Sequence, residues 1–266
     1  QGFDDTVGTI AAQTLAAQPT QAVTDTPVPP APEPSPTQTP TEMPTATQAP
    51  TETQSPTSTA SPVPTIPEGD PRQTLGGATF TDRMDNSTYW PTDTDSFTKV
   101  EFEDGAMLYT ALSETDGWRM MTYPEVTDFY VEITASFEEE CSGSDHFGII
   151  ARVPDKSSAD RGYLFGVSCD GRFTLVEWDG TVTPNGSWKS HIAWKANDAI
   201  HKGLGEKNRV GLMATGDHLT LYVNGVKVAE FEDDTLDKGY LGIFVGSDET
   251  DDLTVRVDEL NFWGLD

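Results

Sequence analysis

No lysine or arginine occurs before Arg72, and only four of the 19 prolines lie beyond Pro71. The 266-residue chain therefore divides near residue 70 into a proline-rich, cation-free tail and one domain of just under 200 residues, a length that suits a single sandwich. Nowhere do 18 consecutive apolar residues occur, so no segment reads as a membrane-spanning helix. Basic patches are missing as well. The formal charge is −28, and removing the eight acidic residues upstream of Arg72 leaves −20 for residues 72–266. This excludes nucleic acid, whose phosphates need neutralising, and argues against docking on anionic lipid. It leaves neutral sugars, cations and basic partners. Cysteine is scarce: Cys141 and Cys169, with four scattered histidines, do not make a four-ligand zinc pattern.

The tail has two parts. In residues 1–17, Asp4, Asp5 and Thr6 could cap a short helix that places Val7, Ile10, Ala11 and Leu15 near one face, a segment suited to self-association. Residues 18–71 are Thr, Pro, Ser, Gln and Ala with a few acids, and cannot bury a core. Proline at this density favours an extended spacer reaching on the order of 150 Å, and Thr/Ser with Pro also reads as an O-glycosylated stalk.

The domain, 72–266, is organised around LTLYVNGVKVAEF (219–231). Leu219, Leu221 and Val223 alternate with Thr220 and Tyr222, and Asn224-Gly225 supplies a type I′ turn. A two-residue loop pairs Val223 with Val226, Tyr222 with Lys227 and Leu221 with Val228. Further strands are expected at 99–103, 106–110, 118–121, 128–138, 147–153, 162–168, 172–178, 208–214, 239–247 and 253–263. Asp170-Gly171 reads as a second two-residue turn, pairing Phe165 with Val176 and Tyr163 with Trp178, which sends Trp178 into the core. Residues 178–207 read as a long aromatic loop. Strands recurring every 8–12 residues with turns between them point to an all-β, two-sheet antiparallel sandwich.

The runs GIIARV, RGYLFGVSCDGRFTLVEW, KNRVGLMATGDHLTLYVNGVKVAEF, GYLGIFVGS and VRVDELNFW, in that order, resemble the concanavalin A-like jelly rolls, specifically the group related to laminin-G-like and DUF1080 (3-keto-disaccharide hydrolase) domains. The resemblance covers roughly residues 80–263. It implies two curved antiparallel sheets with a concave face that often binds glycans. The tail separately resembles the stalks of bacterial surface lipoproteins, which implies a cell-surface location and a lipid anchor upstream of Gln1.

Glycosidases on such folds carry a Glu-x-Asp-x-x-Glu strand. Here Glu249-Thr250-Asp251 has only the first spacing and lies in an acidic turn, so no catalytic residue is assigned. No cofactor is expected beyond Ca²⁺, for which Asp248, Glu249, Asp251 and Asp252 offer hard oxygen ligands. Trp188, Trp194 and His191, together with Trp118, are the candidate sugar-reading side chains, because aromatic faces stack on sugar rings. Cys141 and Cys169 are expected to pair, closing a loop of about 29 residues in an oxidising compartment. The expected function is non-catalytic binding of a poly- or oligosaccharide outside the cell. A surface-layer subunit docking through 1–17 and a 3-keto-disaccharide hydrolase are the alternatives.

Overall fold

The computed structural model describes residues 66–265. The expected helix at 1–17 and nearly all of the expected linker at 18–71 lie outside the described residues. A four-residue helix, α1 (Arg72–Leu75), is followed by strands β1 (Phe80–Asp82), β2 (Thr98–Glu103), β3 (Ala106–Ala111), β4 (Gly117–Met120) and β5 (Phe129–Phe137). Then come β6 (His146–Val153), β7 (Arg161–Ser168), β8 (Arg172–Asp179), β9 (Ser187–Ala196) and β10 (Asn208–Thr215). The last four are β11 (His218–Val223), β12 (Val226–Glu232), β13 (Tyr240–Gly246) and β14 (Thr254–Gly264).

These strands build the expected two-sheet antiparallel sandwich. One sheet runs β12-β11-β10-β5-β14-β3-β2, with β1 added along β14; the other runs β4-β13-β6-β7-β8-β9. Alternation on β5 drives the packing. Phe129, Val131, Ile133, Ala135 and Phe137 all face inward, where they meet Phe147 and Ile149 of β6 and Tyr163, Phe165 and Val167 of β7 in one buried cluster. Phe137 and Phe147 touch edge to face, with ring centroids 5.0 Å apart.

The Asn224-Gly225 turn forms as expected, with φ of 53° and 81°. Val223 pairs with Val226 and Tyr222 with Lys227, but a bulge then places Ala229, not Val228, opposite Leu221. The second hairpin corrects the expectation more deeply. Val167 pairs with Phe173, Leu164 with Val176 and Gly162 with Trp178, so the loop is the three residues Cys169-Asp170-Gly171, with Gly171 at φ 84°. Ser168 Oγ accepts the Arg172 N–H at 3.0 Å and closes it. Because side chains alternate with period two, this one-residue change moves Trp178 from the core to the opposite, outer face. The expected long loop at 178–207 is also corrected: it contains the ten-residue edge strand β9, paired to β8 with two register shifts.

Cys141 and Cys169 are bridged, with Cα atoms 5.9 Å apart. The three-residue loop leaves Cys169 unpaired in the ladder, free to reach across to the chain after β5.

On the outer face of the larger sheet, the segment that opens the domain is strapped down by charge. Glu132, 1 % exposed, is paired with Arg209 at 3.3 Å and with Arg72, while Arg209 also holds Asp70 at 2.5 Å. Replacing Glu132 by alanine takes from Arg72 and Arg209 the buried carboxylate they share, although Arg209 keeps Asp70, at an expected cost of about 2–3 kcal/mol. Urea unfolding would show it, and a change below about 1 kcal/mol would mean that these pairs contribute nothing net.

Candidate functional site

The outer face of the six-stranded sheet is where chemistry-bearing side chains converge. The register just described puts Trp178 of β8 directly opposite Trp188 of β9, with ring centroids 4.7 Å apart. Trp118 joins them from β4, at the far edge of the sheet, 6.4 Å from Trp178 and 6.5 Å from Trp188. Four strand spacings would set the β4 and β8 backbones about 19 Å apart in a flat sheet, so these indoles lie down over the strands between them. Gly162 makes room: a Cβ there would meet Ile150 and Val153 at 3.0 Å. Below the rings lies a second small apolar cluster of Met120, Ile150, Val153, Leu164 and Phe244. The Trp118 Nε1–H donates to the Ala159 carbonyl at 3.0 Å and so fixes the loop after β6 as a wall.

The three rings bound a cavity of about 400 Å³, completed by Phe97, Asp95, Asp116, Arg119 and the 158–160 loop. Trp188 is 47 % exposed and Phe97 48 %. Both lie beside indoles that are already half-buried, so the cavity presents apolar faces to solvent with polar groups at its rim. A small-molecule site has this composition.

The rim is ordered by two ion pairs. Arg119 donates to Asp95 at 2.8 Å and to the Asp93 and Thr98 carbonyls at 2.9 and 3.1 Å. His146, 5 % exposed, has Nε2 3.1 Å from Asp116 and donates from Nδ1 to the Ser144 carbonyl at 2.8 Å. Burial by itself works against a charged imidazole, but the Asp116 hydrogen bond and charge, with the Ser144 carbonyl, raise the His146 pKa above the ordinary histidine value. Both ring nitrogens face acceptors, Asp116 and the Ser144 carbonyl, so the site favours the protonated imidazole over the neutral one. Its folded pKa is raised, so its contribution to stability is complete below the unfolded value of about 6.5 and disappears as pH climbs through the folded value. The urea midpoint should fall across that window, and Asp116→Asn should flatten the fall. An unchanged slope in that variant would place the effect elsewhere.

Trp194 lies further along β9, 5.2 Å from the His146 ring and under the Arg172 guanidinium at 5.6 Å, on the same outer face as the other tryptophans. His191 is not brought together with them. It occupies the register shift of β9 and turns to the inner side, where its Nε2 meets Glu177 at 3.0 Å and its ring lies 4.3 Å from Phe231.

The four acidic-turn residues do not converge. Glu249 turns its carboxylate to the Ser144 N–H at 3.0 Å, and the backbone N–H groups of Asp248, Glu249 and Thr250 all point at Asp145 Oδ1, at 2.9, 2.8 and 3.2 Å. Asp145 is the residue the turn is built around, and sequence reading missed it. Among the described residues, the group of metal-ligating types with converging atoms is Glu177, His191 and Asp233. The Lys189 ammonium already sits 3.2 Å from Glu177 and 3.3 Å from Asp233, supplying the positive charge there. Trp178 was the other residue missed. A three-residue reading of Cys169-Asp170-Gly171 would have found it.

Residues 76–256 match the family model of 3-keto-alpha-glucoside-1,2-lyase-like domains. No curated protein sequence matches the chain. Among solved structures, the chain is similar to a carbohydrate-binding module from Bacillus subtilis, with 17 % identity, a TM-score of 0.51 and coverage of 66 % of this chain and 96 % of that one. It is similar also to a protein of unknown function with a galectin-like fold from Bacillus subtilis, at 10 % identity, TM-score 0.52 and coverage of 71 % and 96 %. A third is a GlcNAcα1-4Gal-releasing endo-β-galactosidase from Clostridium perfringens, at 10 % identity, TM-score 0.50 and coverage of 76 % and 65 %. At these identities the likeness is one of fold, a jelly roll that serves in both binding modules and glycosidases.

Proposed function

The chain belongs to the family of 3-keto-alpha-glucoside-1,2-lyase-like domains, and from that premise we propose that its folded part is a non-catalytic glycan-binding module. The observation that carries this reading is the three-indole cavity: Trp118, Trp178 and Trp188 within 6.5 Å of one another, on a rim of ordered charge. A sugar ring stacks its C–H face on Trp188 and places hydroxyls against the rim, with Trp194 available to a longer chain further along β9. Two carboxylates of the cavity are already committed, Asp95 to Arg119 and Asp116 to His146, which leaves Asp160 alone where two-carboxylate hydrolysis needs a pair.

The module works outside the cell, held on the Thr/Pro-rich stalk. A disulfide that closes the end of the sandwich suits an oxidising compartment, and among the described residues no helix is long and apolar enough to cross a membrane.

A glycan array probed with the full chain tests the reading, with Trp188→Ala as its control. Retention of one glycan class by the native chain and loss by the variant is the expected result. No retention of any glycan would overturn it. The family match favours a second reading, cleavage of a 3-keto-α-glucoside, in which Asp160 would be the free base. Incubating such a substrate with the full chain separates the two, because turnover above the uncatalysed rate contradicts the non-catalytic reading.

A further inference from the structure

One charged group of the tryptophan cavity has no counter-ion within the protein. Asp160 is half-buried at its wall, where the backbone carbonyl receives the Gly180 N–H at 2.6 Å, yet its carboxylate has no hydrogen-bond or ion-pair partner among the described residues. The other two carboxylates at the cavity are paired, Asp95 with Arg119 and Asp116 with His146. Lys156, the cation on the same loop as Asp160, lies instead over the Tyr240 ring, 5.0 Å from its centroid. The cavity lining therefore combines three indoles with one carboxylate that has no counter-ion among the described residues. The indole π faces are electron-rich and attract a cation placed over them.

We propose that this cavity selects glycans carrying a free amino group, with a glucosamine-type ammonium held between the Asp160 carboxylate and the indole faces. The inference rests on the glycan-binding reading and adds the class of sugar. An ammonium gains both the ion pair and the cation–π attraction, whereas its N-acetylated counterpart can offer Asp160 only a neutral N–H and gains no cation–π attraction. The net charge of −20 on residues 72–266 adds long-range attraction for a polyamine chain, which salt screens, while the contact inside the cavity is screened much less.

The test is calorimetric titration of the full chain with a glucosamine hexamer and with its fully N-acetylated counterpart, at mildly acidic pH and at two salt concentrations. The glucosamine hexamer should bind roughly tenfold tighter, with most of the difference surviving the higher salt. Asp160→Asn should abolish the preference while keeping the same melting temperature, and Trp188→Ala should weaken both ligands. Equal binding of the two hexamers, or a preference unchanged in Asp160→Asn, overturns the amino-sugar proposal and leaves the glycan reading intact. A preference that vanishes at high salt assigns it to the general acidic surface and also overturns the proposal. Binding of neither hexamer by a chain that retains other glycans overturns it as well, and failure with every glycan overturns both.

Discussion

Alanine in place of Trp188 should cost the chain about 2 kcal/mol of glycan affinity, roughly thirtyfold, without lowering its melting temperature. The effect is large because Trp188 offers an open indole face at the mouth of the cavity while Trp178 and Trp118 back it, an arrangement in which one aromatic anchor concentrates the binding energy. Stability should be spared because the side chain is 47 % exposed and stands on an edge strand. Titration with a glycan retained on the array, together with a thermal melt, reads both quantities. A fall in melting temperature with unchanged affinity would show that Trp188 only shields the small cluster around Ile150 and Leu164. Trp178→Ala should lower affinity and stability together, since its ring packs against that cluster and against Gly186, where a Cβ would meet it at 2.1 Å.

Removing the bridge by joint replacement of Cys141 and Cys169 with alanine should destabilise the domain by about 3–4 kcal/mol, or roughly 10 °C in melting temperature. The sequence separation of 28 sets the loop-closure entropy that the unfolded chain regains. The bridge also fastens the turn whose Asp145 gathers the N–H groups of Asp248, Glu249 and Thr250. Urea unfolding of the double variant measures the loss. A change below about 1 kcal/mol would mean that the ladder and the Asp145 turn hold this end of the sandwich without the bridge.

The sequence made the fold legible where the signal is local. Asn224-Gly225 allows one turn type, alternation on β5 allows one inward face, and the two cysteines had only each other. Failures came where the signal is ambiguous by one residue or is carried through space. Cys169-Asp170-Gly171 supports a two- or a three-residue loop, and because strand faces alternate, that ambiguity decided whether Trp178 lay in the core or in the cavity. The strand β9 was hidden by its own irregularity: Trp188 and Ser190 alternate, His191 then falls at a register shift, and Trp194 resumes the outer face. The approach of Trp118 to Trp178 joins strands 60 residues apart and has no local signature at all. Trp188 could be nominated from its place in an aromatic segment and Trp118 from its residue type alone, but the side chain that unites them could not.

The six tryptophans supply the most direct test of the cavity as the glycan site. Each indole N–H gives its own signal in a two-dimensional NMR spectrum of nitrogen-15-labelled full chain, and single replacements assign them. On titration with an array-retained oligosaccharide, the Trp118, Trp178 and Trp188 signals should move together and saturate with one dissociation constant. Trp90 and Trp263, buried at 4 % and 5 % exposure elsewhere in the sandwich, should stay still. Saturable movement confined to other residues, with the three cavity indoles unchanged, would contradict the assignment of this face as the binding site.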